Sequence, residues 1–217
     1  MDIAAQPKID PEILPLSKWW LRAVLIVMLL GFAGLLAVTT LSYRNAPPIP
    51  GNVIDASGQT LFTGDQIRSG QALFLRYGLM DNGTIWGHGA YLGPDYSAET
   101  LHQIGESTAA ILAQQQFGKP LANLNVIETG AIRGQVAATL KINRFNPGKN
   151  TLYLTAPEAI AYRAQIARWT AYFTDSSRNG GLKPNLITDP GELQELTAFF
   201  CWTAWASVAD RPGTDYS

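Results

Sequence analysis

Residues 70–95 read GQALFLRYGLMDNGTIWGHGAYLGPD and hold six of the chain's twenty glycines beside Trp86, His88 and Tyr91. Beyond Tyr77 this is not helix chemistry. Glycine is used where the backbone takes positive φ or approaches another group closely, so Gly83, Gly87, Gly89 and Gly93, followed by Pro94, predict a tightly folded, ordered loop. A flexible linker would be rich in Ser and Gly and would not carry aromatics. With few bulky side chains in the way, the main chain of the loop is the expected functional surface, because closely spaced carbonyls and amides suit a hard cation or a cofactor edge.

Upstream of the loop, Thr63 and Gln66 have capping-box spacing and start a helix whose apolar face is Ile67, Phe74 and Leu75, ending at Gly78. Before it, Val53-Ile54 and Thr60-Leu61-Phe62 flank Ala56-Ser57-Gly58-Gln59 as a small hairpin. Downstream, Ser97 to Phe117 reads as a helix with Leu101, Ile104, Ile111 and Leu112 on one side and Gly118 beyond its end. Asn125 with Glu128 caps another, running to about Leu140, whose Gly130 and Gly134 predict close packing against a neighbour. Asn143 to Asn150 is a turn-rich connection before a short strand, Thr151 to Leu154. Thr155 and Glu158 form a further capping box, and Ala159, Tyr162, Ile166, Trp169 and Phe173 make a buried stripe. After a polar loop from Asp175 to Pro184, Asp189-Pro190-Gly191-Glu192 supplies an N-cap, an N1 proline and an N3 acid for a last helix through Ala209. That helix is apolar nearly all round and too short to span a bilayer. Its Phe199, Phe200, Trp202 and Trp205 are expected to pack partly into the domain and partly onto another surface.

At the other end, the uncharged run from Ala23 to Leu41 is long enough to cross roughly 30 Å of hydrocarbon. Trp19, Trp20 and Tyr43 sit where aromatic belts sit, and Lys8, Lys18 and Arg22 before the span against Arg44 after it put the N-terminus in the cytoplasm. The apolar stretch exceeds a signal-peptide core and no A-x-A site follows, so an anchor is expected. Asn45 to Gly51, with three prolines, should be an extended stem. The remaining length, within 217 residues, allows one globular domain and not a twelve-helix bundle.

With a net charge of −1 and no basic cluster beyond the membrane flank, nothing points to nucleic-acid binding. The single Cys201 excludes both an internal disulfide and the C-x-x-C-H attachment of a c-type haem. His88 and His102 are the only histidines. A zinc site needs about four ligands with short-range pairing that is absent here, so His88 reads as a hydrogen-bonding residue and His102 as solvated or in a helix's N-terminal turn. Glu99, Glu106, Glu128, Glu158, Glu192 and Glu195 fall at helix starts or on polar faces, as the helix dipole favours. No nucleophile elbow, P-loop or dinucleotide fingerprint is present, and the residues alone give no active site.

The glycine loop, PPIPGNVID at 47–55, LFTGDQIRSGQALF at 61–74 and FFCWTAWASVADRPGTDYS at 199–217 together resemble the N-terminal region of quinol-dependent nitric oxide reductases. The resemblance runs from about Trp19 to Ser217. It implies a mainly α chain: a cytoplasmic tail over 1–18, a transmembrane helix over 19–43, and a haem-less cytochrome c-like periplasmic domain with minor β over 44–217, ending in a helix that docks on the membrane domain. The haem motif of the haem-bearing relatives would fall at Leu79 to Gly83, and Leu79, Met80 and Trp86 should then fill the emptied pocket. In cytochrome c-dependent relatives the Gly-Ala-Tyr segment gives carbonyls to a calcium ion that also binds haem propionates and a glutamate of the large subunit, which places Gly89 and Tyr91 here as candidate ligands of a shared Ca2+; a loop that docks on the membrane domain without metal is the alternative. Haem b and non-haem iron would lie in a catalytic membrane domain, the implied partner besides the lipid bilayer. The implied location is the bacterial inner membrane, and the implied reaction is 2 NO plus quinol to N2O, water and quinone, with this chain non-catalytic by itself. A free-standing anchored domain with a binding or scaffolding role is the alternative.

Overall fold

The computed structural model describes residues 17–44, 46–175, 177 and 179–212. The expected tail up to residue 16, Lys8 among it, and the end of the C-terminal motif from residue 213 lie outside the described residues. The chain divides after Pro47 into two compact units.

The first unit is one helix, α1, Lys18–Arg44, exposed along its whole length. It contains the Ala23 to Leu41 run and is long and apolar enough to cross a membrane.

The second unit begins on the expected stem, which is not a free spacer. The Pro48 carbonyl accepts the Trp202 indole N–H at 3.0 Å, Ile49 packs on the core, and Gly51 N–H donates to Asn150 O at 2.8 Å. The prolines stop α1, and the following residues become the first edge of the domain.

Strand β1 (Asn52–Ile54) pairs antiparallel with β2 (Thr60–Thr63), as the hairpin pattern requires. Its other edge pairs in parallel with β6 (Thr151–Tyr153), which in turn pairs antiparallel with β5 (Phe145–Asn146). The sheet order is therefore β2-β1-β6-β5. The turn is fixed by Asp55, whose Oδ1 accepts from Ser57 N–H and Oγ–H and from Gln59 N–H, while Oδ2 accepts from Arg163 at 2.9 Å.

Four helices carry the core: α2 (Gly64–Arg76), α3 (Tyr96–Phe117), α5 (Ala156–Thr174) and α6 (Pro190–Val208). The capping boxes on Thr63, Asn125 and Thr155 all form, and Asp189 caps α6. On α2 the buried face is Ile67, Gly70, Leu73 and Phe74, while Leu75 points to solvent, because one residue past Phe74 is a 100° rotation off the stripe. On α5, Ala159, Tyr162, Trp169 and Phe173 are buried and Ile166 is half-buried. On α3 the expected Leu101, Ile104, Ile111 and Leu112 are only half-buried, and Tyr96, Thr100, Thr108, Ala109 and Ala113 lie deeper.

The last helix differs most from expectation. Leu193 and every residue from Leu196 to Ala204 are buried, so α6 is the central helix of this domain and presents no broad apolar face outward. Phe199, Phe200 and Trp202 belong to the internal core, and Trp205 is half-buried against it. An all-round apolar helix is what a surrounded helix requires. Helix α2 crosses it at Gly70, where a Cβ would run into the Glu195 carbonyl and Phe199.

Helix α4 (Val126–Lys141) packs through Ile132 and Val136 onto α3 as a satellite cluster. Its Gly130 and Gly134 face open space, contrary to the close packing expected of them.

Candidate functional site

The glycine loop leaves α2 at Tyr77, whose hydroxyl donates to Glu192 Oε2 at 2.6 Å. Arg76 pairs with the other oxygen of the same carboxylate. These donors hold the Glu192 carboxyl below the usual range. Leu79–Asp81 then forms one 3-10 turn with Leu79 fully buried.

Asn82, 3 % exposed, pins the loop from inside. Its Nδ2 donates to the carbonyls of Asn179 at 3.1 Å and Gly180 at 2.9 Å. Its Oδ1 accepts from Tyr96 at 2.8 Å and Tyr172 at 3.0 Å. The full capacity of the amide, two donors and two lone pairs, is thus used inside the protein.

Main-chain bonds close the loop around this peg: Gly93 N–H to Asn82 O at 2.6 Å, Ala90 N–H to Met80 O at 2.8 Å and Thr84 N–H to Pro94 O at 3.0 Å. Strands β3 (Thr84–Ile85) and β4 (His88–Gly89) form a two-residue hairpin. Its turn residues Trp86 and Gly87 both have positive φ, 53° and 76°. Such a turn matches strand twist but ordinarily carries Asn-Gly. Here Trp86 is held there by its indole N–H donating to Thr203 O at 2.9 Å on α6 and by its ring lying 5.8 Å from that of Trp202. Asp95 ties the hairpin to α3: Oδ1 caps Ala98 N–H, and Oδ2 accepts from Thr84 Oγ1 and Gly87 N–H. Burial opposes ionisation of this carboxyl, but the donors outweigh it and hold it below the usual range.

Of the three expected pocket fillers, Leu79 alone is core. Met80 and Trp86 are 41 % and 42 % exposed. The space behind the loop is filled instead by Tyr96, Trp169, Phe173 and Phe200, with Tyr96 stacked on Phe200 at 4.8 Å and 13°. Tyr96 was legible only as the residue before a predicted helix, although an aromatic directly after an N-cap aspartate is a candidate for inward packing.

Gly89 sits on β4 with φ of 140°, and a Cβ there would strike the Gly83 carbonyl, so only glycine fits. Tyr91 follows with its side chain 85 % exposed. His88 is exposed on the hairpin and makes no side-chain hydrogen bond among the described residues, unlike the role expected for it. His102 is exposed on α3. Glu99 pairs with Arg168 at 2.5 Å and Glu158 with Arg144 at 3.2 Å. Among the described residues no group of three or more His, Cys, Asp or Glu converges as a metal cage.

An apolar N-terminal helix long enough to cross a membrane precedes a mainly helical domain with minor strands, and that domain is cytochrome c-like. Residues 50–217 match the family described as the NorB cytochrome c-like domain of nitric oxide reductase, and the chain belongs to that family. No curated protein matches the sequence.

Proposed function

We propose that the chain is the anchor and periplasmic domain of a quinol-dependent nitric oxide reductase, and that it covers and positions a catalytic membrane domain instead of carrying chemistry itself. The observation that carries this reading is the contrast within the glycine loop. Its interior is pinned at Asn82 and Asp95, yet it displays Tyr91 (85 % exposed), Leu92 (73 %), Trp86 and Met80 outward. Large apolar residues held rigidly in water mark a docking surface. In this reading α1 spans the inner membrane with the N-terminus cytoplasmic, the enzyme reduces two NO to N2O and water with electrons from quinol, and haem b and non-haem iron belong to the membrane domain. The domain itself binds no haem, since Leu79 to Gly83 offers neither thiol nor histidine.

A calcium ion shared across the docked surfaces fits the oxygen chemistry of the loop. The carbonyls of Gly89 and Tyr91 would hold it, and among the described residues no donor reaches the Tyr91 carbonyl. When bound, the ion would supply positive charge between the two domains. Calcium takes about six to eight oxygens, so two neutral carbonyls contribute to such a site and do not complete it.

The test is quinol-driven NO consumption by membranes holding this chain with the complete reductase. Gly89→Val should lower turnover at least tenfold and loosen the docked domain, whereas Tyr91→Phe should be mild, because backbone shape and not the side chain would carry the contact. Wild-type activity should also be sensitive to a calcium chelator. Full activity and unchanged assembly of Gly89→Val would overturn the docking role and favour an independent scaffolding domain.

A further inference from the structure

Among the described residues Trp86 is the one bulky side chain at positive φ, the others being glycines, Asn150 and Asn185. A bulky residue is an outlier there, and Asn-Gly would make the same two-residue turn at less cost. Strain of this kind persists only where the surroundings over-determine it, so the reason for a tryptophan lies outside the turn.

The hairpin has two supports. The first is a single line of attachment to Pro94, Asp95 and Ser97: Thr84 N–H donates to Pro94 O, Thr84 Oγ1 and Gly87 N–H donate to Asp95 Oδ2, and Trp86 N–H donates to Ser97 Oγ at 3.4 Å. About such a line the hairpin is free to tilt. The second support is the Trp86 indole, which supplies the hairpin's hydrogen bond to α6 among the described residues, at Thr203 O, and lies against the Trp202 ring. Ala90 reports the tilt, because its N–H reaches Met80 O at 2.8 Å from just beyond β4.

Trp202 is fixed in turn by the stem, its own indole N–H donating to Pro48 O at 3.0 Å. Two indoles in contact thus join the stem, α6 and the hairpin. The element with two states is the turn itself. With the indole seated, residue 86 is held at positive φ; with it unseated, the backbone relaxes toward negative φ and the strand after it changes direction.

We propose that the Trp86–Trp202 pair couples the stem to the glycine loop, holding the hairpin at the tilt that presents Gly89 to Leu92 while the stem is seated at Pro48 and releasing it when the stem is not. Trp86 is then a positioning residue of the loop: its only polar group is turned inward to Thr203, whereas Tyr91 stands 85 % exposed. Coupling of this kind is reciprocal, so a partner seated on the loop also holds the stem in place. That the loop is a docking surface rests on the function proposed above; the coupling of stem to loop does not.

Amide hydrogen exchange of the full chain in detergent micelles tests the coupling, with Ala90 reading the loop, Gly51 reading the stem and Trp169 in α5 reading global opening. Trp202→Phe keeps a ring against Trp86 and removes the donor to Pro48. It should speed exchange at both Gly51 and Ala90 by roughly tenfold relative to Trp169. Trp86→Asn keeps a turn that accepts positive φ and removes the indole, and should speed the same two amides. In the double variant Ala90 should exchange no faster than in Trp86→Asn alone, because the stem acts on the loop through Trp86. Loosening of Gly51 with Ala90 unmoved in Trp202→Phe, or additive effects in the double variant, would overturn the coupling. In the complete reductase, quinol-driven NO consumption should fall in Trp202→Phe as it does in Trp86→Asn. Loss in Trp86→Asn alone would make Trp86 a contact residue and overturn its positioning role. Full turnover in both variants, with exchange at Ala90 accelerated, would leave the coupling standing and sink the docking reading instead.

Discussion

Asn82 and Tyr96 are joined by a buried hydrogen bond of 2.8 Å that fixes the glycine loop to the start of α3. The bond is the inner end of a network reaching Tyr172, Asn179 and Gly180, and it turns a glycine-rich segment into a fixed part of the core. Removing one member leaves the others buried and unsatisfied, which costs about 1–3 kcal/mol per group. Asn82→Ala should therefore destabilise the domain by about 3 kcal/mol and lower its melting temperature by about 6–12 °C. Circular dichroism melts of wild type and variant would read this directly; an unchanged midpoint would mean the network contributes nothing net.

Glycines on two helices should respond oppositely to alanine. Gly70→Ala pushes a methyl into the Glu195 carbonyl and should cost about 1–3 kcal/mol as α2 and α6 separate. Gly130→Ala and Gly134→Ala place a methyl in open space on exposed helix and should each stabilise by about 0.5–1 kcal/mol. Urea unfolding of the three variants checks both signs.

The acid limb of stability should carry a signature of Asp55. The Ser57 hydroxyl first, then the Arg163 guanidinium, bring its carboxyl from 3.8 down to about 2. A carboxyl with a depressed value contributes stability that is fully present above pH 3.8 and is lost as pH falls through about 2. Wild type should accordingly lose melting temperature across that window by more than Asp55→Asn does. Parallel curves for the two proteins would show that the turn does not depend on the charge.

Cys201 should be chemically silent in the folded chain. It is 6 % exposed on α6, and burial pushes its thiol well above the usual range. At pH 8 a disulfide-exchange reagent should label it at least a hundredfold more slowly in native protein than in guanidinium. Rapid native labelling would place it at an opening of the core.

What the sequence made legible was local. The boxes on Thr63, Asn125 and Thr155 each close within three residues, and the β1–β2 hairpin closes within a single turn, so their patterns are self-contained. The burial of α6 was not legible, because an all-round apolar helix meets either a partner or its own domain and composition does not say which. Likewise Gly89 stood among glycines expected at special backbone positions, whereas nothing in the sequence singled out Asn82. Its partners Tyr172, Asn179 and Gly180 lie 90 or more residues away. The Trp86 turn escaped for the same reason, its anchor Thr203 being 117 residues distant.

The parallel pairing of β1 with β6 has a consequence in time. Asn52 finds Thr151 only after some hundred residues have been made, and Gly70 meets α6 later still. At roughly 5–20 residues per second, synthesis of that interval takes on the order of ten seconds, during which α2 and the glycine loop have no lid. An early-made segment with late-made partners waits unfolded while synthesis continues, and contacts so distant in the chain form slowly even afterwards. The newborn domain is therefore most vulnerable to proteases and misassembly before α6 emerges, and truncations that stop short of Leu196 should be degraded instead of accumulating as shortened domains.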